Sequence, residues 1–298
     1  MENRLIVILG PTASGKTNLA IRLAEHLHTE IISADSRQIY KEISIGTARP
    51  EKEDLEKITH HFIASHSIHD YYNASMFEEE VLTLLSTQFK QHKNILMVGG
   101  SGMYINAVCS GIDELPSVDQ DIREKLRKQY EEEGIESLRM QLKIIDPVYY
   151  DTVDLKNPNR ILKGLEISIM TGQPYSSFLT HTKKARDFDI IKIGLKLDRE
   201  LLYSRINQRV DEMISQGLIE EAREMYPFKT LNALNTVGYK ELFMYFDNLI
   251  SKEEAIELLK RNTRRFAKRQ ITWFQRDKDI HWFKPNEANK MLELIYRS

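Results

Sequence analysis

The sequence predicts an α/β protein in which a parallel sheet is flanked by helices and interrupted by a helical insertion. Three observations support this prediction. Short apolar runs alternate with longer amphipathic stretches, which is the order of elements in an open parallel sheet. A Gly-rich turn lies directly between the first apolar run and the first amphipathic stretch. After residue 116 the pattern becomes charged and helical, and strand character returns only at residue 189.

The predicted strands are continuous apolar runs bounded by turn residues, as expected of strands that are buried on both faces. They occupy residues 4–9, 31–33, 94–98 and 189–197, with a possible last strand at 280–283. Helices are predicted where apolar residues recur at helical spacing, over residues 15–28, 76–90 and 101–109. Helical patterns then continue from residue 199 almost to the end, broken at Gly217, Pro227 and Gly238.

This order of predicted strands and helices divides the chain into three segments. Residues 1–116 form the first part of the α/β core, residues 117–188 form the helical insertion, and residues 189–298 form the second part of the core with a basic helix near its end. A chain of 298 residues is long enough for one large domain or two modest ones, each with a buried core.

Composition sets further bounds. The hydrophobic share of 41%, the charged share of 29% and the net charge of −2 are those of an ordinary globular protein, so composition alone does not indicate a nucleic-acid partner. The one cysteine, Cys109, excludes an internal disulfide and fits a reducing compartment. No apolar run approaches the roughly 20 residues of a membrane span, and the N-terminal run is too short for a signal peptide. We expect a cytoplasmic protein with no membrane partner.

The Gly-rich turn matches the phosphate-loop pattern G-x-x-x-x-G-K-[ST] between a predicted strand and a predicted helix. Backbone N–H groups and the helix dipole favour an anion there, Lys16 adds a full charge, and the Thr17 hydroxyl can bind Mg²⁺. The predicted diphosphate- or nucleotide-binding residues are Gly10, Pro11, Thr12, Ala13, Ser14, Gly15, Lys16 and Thr17.

The loop does not decide the chemistry. Most phosphate-loop proteins bind ATP or GTP and break a bond between phosphates, but a prenyl diphosphate presents the same two phosphates as a leaving group. Asp35 follows the second predicted strand, at the edge of the sheet where ligands bind. Its carboxylate could hold Mg²⁺ through water or accept a proton. Alternatively, Asp35 or Ser36 caps a helix.

Further motifs follow in a fixed order. Asp-Ser-Arg-Gln-Ile-Tyr, Gly-Thr-Ala-Arg-Pro and His-His begin at Asp35, Gly46 and His60. Val-Gly-Gly-Ser-Gly-Met-Tyr-Ile begins at Val98, and Thr-Val-Gly-Tyr-Lys-Glu at Thr236. Thr-Arg-Arg-Phe-Ala-Lys-Arg-Gln-Ile-Thr-Trp-Phe completes the set at residues 263–274. Together with the loop, this set resembles the tRNA dimethylallyltransferase (tRNA isopentenyltransferase) family from residue 4 to about residue 276.

The resemblance implies a P-loop kinase-like core whose helical insertion grips the anticodon stem-loop of tRNA. It also implies a reaction: transfer of a dimethylallyl group from dimethylallyl diphosphate to the N6 amine of the adenosine 3′ of the anticodon, in tRNAs reading codons that begin with U. The base would be flipped into a channel, with the diphosphate entering from the opposite end. Mg²⁺ is the expected cofactor, tRNA and dimethylallyl diphosphate are the expected partners, and a monomer is the expected state.

The same resemblance also implies which residues of this chain form the site. Asp35 is implied as the general base, and Lys16, Ser101 and Arg209 as the other catalytic residues, with Arg209 on the diphosphate. Ser101 stands where the family usually has Thr, which keeps the hydroxyl. The implied tRNA-binding residues are Asp35, Ser36, Arg37, Gln38, Ser101, Arg123, Asn159, Arg160, Ile161, Leu162, Lys163, Gly238, Tyr239, Arg265 and Arg269.

One stretch departs from the family pattern. Asn-Pro-Asn-Arg at 157–160 and Lys-Gly-Leu-Glu at 163–166 stand where the family commonly has Asp-Pro-Gln-Arg and Arg-Ala-Leu-Glu. Lys163 keeps a positive charge but does not replace a bidentate Arg, so the details of tRNA contact are expected to differ there.

A basic helix is predicted near the C-terminus, because residues 260–276 carry seven basic residues and no acidic one. At about 100° per residue, one side carries the basic residues Arg261, Arg265, Lys268, Arg269 and Arg276. The other side carries Phe266, Ala267, Trp273 and Phe274, which we expect to pack on the core. The basic side is either a footprint for phosphate backbone or a solvated charged face.

Two other functions share parts of this pattern. A small-molecule or nucleotide kinase would have the same loop and sheet, but Asp198 is a weak candidate for its downstream Mg²⁺ carboxylate, and a kinase has no evident need for the basic helix. A non-catalytic RNA-binding ATPase would not need a carboxylate placed like Asp35.

Overall fold

The structure is a computed structural model that describes residues 3–113, 115–116, 119–180 and 182–297. The chain divides into two compact units, one comprising Met1–Ser110 and Ala185–Ser298 and the other Gly111–Lys184. The predicted segment boundary at residue 117, like the predicted start of the helical pattern at Val118, lies outside the described residues.

The larger unit contains a parallel sheet of six strands among the described residues, in the order β3-β2-β4-β1-β5-β6. The strands are β1 (Arg4–Leu9), β2 (Ile31–Ser33), β3 (His60–His61), β4 (Asn94–Gly99), β5 (Asp189–Leu195) and β6 (Ile280–Phe283). The predicted parallel sheet, including its short last strand, is therefore confirmed. The edge strand β3 was not predicted, because two histidines carry no strand periodicity.

Helices surround this sheet. They are α1 (Lys16–Leu27), α2 (Lys52–Lys57), α3 (Ala74–Gln88), α4 (Gly102–Ser110), α9 (Arg199–Ser215), α10 (Leu218–Met225), α11 (Tyr239–Phe246), α12 (Lys252–Phe274) and α13 (Ala288–Arg297). Central strand β1 lies between β4 and β5, with Ile6 opposite Leu96 and Ile191. Burial of these strands removes their apolar side chains from water and places their carboxyl ends at one edge, where the polar residues gather.

The smaller unit is helical and comprises α5 (Gln120–Glu133), α6 (Ile135–Ile145), α7 (Pro147–Thr152) and α8 (Pro158–Thr171). Its core consists of Leu126, Leu138, Leu142, Ile161 and Leu165. The buried Asp146 caps α7 through the Tyr149 N–H at 3.0 Å, and accepts from the Ser176 N–H and hydroxyl at 2.7 Å each.

None of the helices among the described residues combines the length and the apolar character needed to cross a membrane.

Candidate active site

The phosphate loop connects the end of β1 to the start of α1. Gly15 has φ of 90°, a left-handed conformation that favours glycine, and no side chain caps the helix behind it. The first N–H groups of α1 therefore remain available to an anion. The Ser14 hydroxyl is buried and has no hydrogen-bond partner within the described chain. The local geometry is that of an anion site.

Two cations lie beside this loop. Lys16 Nζ donates to the Pro11 carbonyl at 2.6 Å, and Arg209 donates to the Thr12 hydroxyl at 3.3 Å. Burial and, to a smaller extent, the charge of Arg209 lower the pKa of Lys16 to about 7, while Asp35 opposes the change. Burial also lowers the pKa of Arg209. Two partly desolvated cations favour a multiply charged anion, which would relieve their repulsion.

A cavity of about 410 Å³ opens beside the loop. Its wall contains the predicted catalytic residues Lys16, Asp35, Ser101 and Arg209. It also contains Thr12, Thr17, Ser36, Arg37, Gln38, Gly238 and Arg269 from the predicted binding residues. A second recess of about 280 Å³ shares Lys16, Thr17 and Arg209 and adds Arg205 and Gln208. The loop thus borders two spaces.

Asp35 forms a turn in the cavity wall. Its Oδ1 accepts from the N–H groups of Arg37 at 2.9 Å and Gln38 at 3.3 Å, while Oδ2 accepts no hydrogen bond from the described residues. No helix begins here, so the alternative of a helix cap is wrong, although a turn is capped. One oxygen remains available for chemistry.

Ser101 fixes the same turn to the start of α4. Its Oγ accepts from the Ser36 N–H at 2.9 Å and donates to the Ser36 hydroxyl at 3.2 Å. The predicted contact residues Arg37 and Gln38 also have internal partners: Arg37 donates to the Asn232 carbonyl at 3.0 Å, and the Gln38 amide donates to the carbonyls of the 47–48 turn at 3.1 and 3.0 Å.

Gln270 lies in the motif at residues 263–274, but it was not predicted to belong to the site. Its side chain is buried, accepts from the Thr12 N–H at 2.9 Å and donates to the Gly100 carbonyl at 2.9 Å. A Cβ on Gly100 would lie 2.3 Å from the Gln270 amide nitrogen, so this contact requires glycine. One amide therefore joins the phosphate loop to the end of β4. The only sequence signal is helical periodicity, which is weak here: Gln270 is three residues after Ala267 and four before Phe274, both of them buried.

Glu221 is a second residue that the sequence did not single out. Its carboxylate accepts from the N–H groups of Ser44, Ile45 and Gly46 at 2.8 Å each, and from the Tyr239 hydroxyl at 2.6 Å. These bonds fix the turn that brings Gly46 into the cavity wall.

Tyr239, predicted to bind tRNA, is wholly buried. A Cβ on Gly46 would lie 2.5 Å from its hydroxyl, and burial together with Glu221 raises the pKa of that hydroxyl. No surface of the ring is accessible, so any contact of this residue with RNA has to involve its backbone, and the predicted contact stays a prediction. The neighbouring Gly238 does border the cavity.

Helix α12 has the predicted basic side. Its exposed members are Arg261, Arg265, Lys268, Arg269 and, just beyond the helix, Arg276. The opposite side was only partly predicted: Ala267 and Phe274 are buried, but Phe266 and Trp273 are 39% and 37% exposed. The expected core packing of these two aromatics is therefore only partial.

The smaller unit carries the remaining predicted tRNA residues. Asn159 and Arg160 are exposed on the first turn of α8, and Leu162 and Lys163 are half-buried. Ile161 belongs to the unit's core, so any contact it makes with RNA has to involve its backbone, and the predicted contact stays a prediction.

Arg123 takes part in a bidentate ion pair with Glu166, at 2.8 and 3.1 Å. Gly164, where the family commonly has Ala, is in close contact with Tyr149: a Cβ would lie 2.8 Å from the ring. The glycine at position 164 thus has a local packing reason.

A parallel sheet with an uncapped Gly-rich loop before its first helix is the architecture of the phosphate-loop class of α/β proteins. Within that class, the family model described as IPP transferase matches residues 38–277. The chain belongs to this family.

Individual relatives agree with this assignment. A tRNA dimethylallyltransferase of Christiangramia forsetii is 55% identical over 290 residues, covering 97% of this chain and 96% of the relative. Among solved structures, the tRNA isopentenylpyrophosphate transferase of Bacillus halodurans has a TM-score of 0.71 at 33% identity, covering 99% of this chain and 95% of that one. A eukaryotic dimethylallyltransferase acting on tRNA has a TM-score of 0.76 at 26% identity, covering 96% and 75%. The family predicted from the motifs is confirmed.

Proposed function

We propose that this protein transfers a dimethylallyl group from dimethylallyl diphosphate to tRNA, at the N6 amine of the adenosine 3′ of the anticodon in tRNAs reading codons that begin with U. Family membership and the names of the relatives support the reaction. The observation that carries it is one cavity that has the cations Lys16 and Arg209 and the partly free carboxylate of Asp35 in its wall.

The donor half of the reaction uses the phosphate loop. The N–H groups at the start of α1, Lys16 and Arg209 bind the diphosphate. As the bond between the dimethylallyl carbon and the diphosphate oxygen breaks, negative charge develops on that oxygen, and these groups stabilise it. Their partial burial strengthens the effect, because water screens the interaction less.

The acceptor half uses Asp35. The adenine amine attacks the dimethylallyl carbon, a C–N bond forms, and diphosphate leaves with the electron pair of the broken C–O bond. The amine proton passes to Asp35 Oδ2, the oxygen that accepts no hydrogen bond from the described chain. Oδ1 stays bonded to the turn and holds the carboxylate in place. The base must leave its stack to reach the cavity, as in other enzymes that act on one atom of a base.

Mg²⁺ fits the residues present, and we propose it as cofactor. The described residues hold no cluster of three His, Cys, Asp or Glu side chains that would bind a metal alone. Mg²⁺ usually keeps several waters and takes one or two protein ligands together with substrate phosphates. The Thr17 hydroxyl, in the wall of both spaces, is the ligand this chain offers. When bound, Mg²⁺ would neutralise charge on the leaving diphosphate.

The test is incorporation of labelled dimethylallyl groups into unmodified tRNA by the purified protein with Mg²⁺, with phosphoryl transfer from ATP measured in parallel. We expect label at the adenosine 3′ of the anticodon, and little label with Asp35→Asn. Phosphoryl transfer without label would show a kinase and overturn the proposal. Thermal stabilisation gives a second readout: dimethylallyl diphosphate should raise Tm more than ATP at equal concentration.

A further inference from the structure

Trp273 lies against the start of α4, next to the catalytic Ser101. A Cβ on Gly102 would be 2.3 Å from the indole nitrogen of Trp273, so only glycine allows this close approach. The indole nevertheless remains 37% exposed, and Met103, the residue after Gly102, is 61% exposed. The ring is therefore held in place on one side and open on the other.

Phe266 has a similar arrangement at the cavity itself. Its side chain belongs to the cavity wall, together with Arg269, yet is 39% exposed. The Arg269 guanidinium lies over the Phe266 ring, 5.8 Å from its centroid. A cation over an aromatic face is a favourable pair that also orients the ring.

The two aromatics share one side of α12. They are seven residues apart, which is two helical turns or about 10 Å. The exposed cations Lys268 and Arg269 lie between them along the chain, and the exposed Arg265 directly precedes Phe266. Exposed aromatics interleaved with basic residues are typical of surfaces that bind single-stranded nucleic acid, where bases stack on rings and cations contact phosphates.

We propose that Phe266 and Trp273 are stacking platforms for the two nucleobases on either side of the acceptor adenosine. This inference rests on the proposed function. When the acceptor base leaves its stack, each neighbouring base loses a stacking partner on one face. The Phe266 ring, in the cavity wall, replaces that partner for one neighbouring base, and the Trp273 ring replaces it for the other.

Tryptophan fluorescence tests this directly, because the chain has two tryptophans, Trp273 and Trp282. In a Trp282→Phe variant, Trp273 is the single reporter. We expect an anticodon stem-loop RNA to quench its emission. An RNA with an abasic nucleotide on one side of the acceptor should lose that quenching, whereas an abasic nucleotide on the other side should leave it. Equal quenching by both abasic RNAs, or no quenching by the intact one, would overturn the stacking of Trp273.

Affinity gives an independent test that includes Phe266. Stacking contributes about 1–3 kcal/mol per base, so Trp273→Leu and Phe266→Leu should each weaken RNA binding about 5- to 150-fold. The slope of log affinity against log salt should not change, because no charge is removed. Trp273→Tyr keeps a ring and should retain most of the affinity, which separates stacking from a folding defect. Tyr296→Leu, which removes an exposed aromatic on α13, is the matched control and should bind like the parent.

The outcomes separate this inference from the proposed function. Parental RNA affinity in both leucine variants, or a changed salt slope, would overturn the inference while labelled dimethylallyl transfer by the parent continued. Absence of transfer by the parent would count against the proposed function itself. Affinity for dimethylallyl diphosphate should be unchanged in every aromatic variant, because these rings contact the acceptor and not the donor.

Discussion

The turns held by Asp35 and Glu221 are built alike but have different roles. In each, a carboxylate accepts hydrogen bonds from successive backbone N–H groups, and each turn contributes to the wall of the same cavity. Glu221 uses both oxygens, since Oε1 also accepts from the buried Tyr239 hydroxyl. Asp35 uses only Oδ1, which leaves Oδ2 without a hydrogen bond from the described chain.

This difference distinguishes a carboxylate that only stabilises its turn from one that can also take part in the reaction. A carboxylate whose oxygens are all bonded stabilises its turn and has little capacity left for a substrate. A carboxylate with one free oxygen is equally well held but can still accept a proton. Matched isosteric substitutions should therefore have opposite effects at the two sites.

Asp35→Asn should have the largest effect. The amide oxygen can still accept from Arg37 and Gln38, so the turn remains, but the general base is lost. We expect kcat to fall about 10³-fold, within the range for removal of a positioned base, with Tm nearly unchanged. The measurement is single-turnover transfer to tRNA alongside a thermal melt. A rate within a fewfold of the parent would remove Asp35 from the base role.

Lys16→Met tests the cation that shares the cavity wall with Asp35. The change keeps most of the apolar stem and removes the charge that binds the leaving diphosphate. We expect kcat/KM for dimethylallyl diphosphate to fall about 10²-fold, as for loss of one stabilising donor, while tRNA affinity stays the same. Titration of the diphosphate substrate and of tRNA, each alone, checks this. Parental affinity for the diphosphate substrate would contradict the role given to the loop.

Glu221→Gln should act on stability instead of chemistry. The amide keeps one acceptor oxygen but brings an NH₂ group against a backbone donor or the Tyr239 hydroxyl. Leaving part-buried donors unsatisfied should lower the free energy of unfolding by about 2 kcal/mol. Denaturant unfolding measures the loss. The comparison between the two turns fails if Glu221→Gln is as stable as the parent and loses turnover as Asp35→Asn does.

Gln270→Glu should have the smallest effect. A carboxylate can still accept from the Thr12 N–H, but its second oxygen would oppose the Gly100 carbonyl. Gln270 joins the phosphate loop to Gly100, the residue before Ser101. We therefore expect kcat to fall about 10-fold, or 1.4 kcal/mol in activation free energy. The KM for each substrate should change less. Gln275→Glu, at an exposed position on the same helix end, is the control. Equal losses in the two variants would point to charge and not to positioning.

Much of the larger unit could be predicted because its signals are local. The strands around β1 are continuous apolar runs, and the phosphate loop is eight contiguous residues between a strand and a helix. The sequence was less informative where the burial of a residue depends on a distant partner. Tyr239 is buried by its contact with Gly46 and Glu221, and Ile161 by the core of its own unit. Neither contact has a sequence spacing that predicts it.

The sequence by itself determined the family, the parallel sheet, the phosphate loop and the basic side of α12, because these depend on residue order and on helical or strand periodicity. Only the tertiary structure decided which polar groups are already satisfied. That includes the free oxygen of Asp35, the fully bonded carboxylate of Glu221, the bridging amide of Gln270 and the exposure of Phe266 and Trp273. Hydrogen bonding and burial are properties of partners brought together from distant parts of the chain, and a side chain's own identity does not specify them.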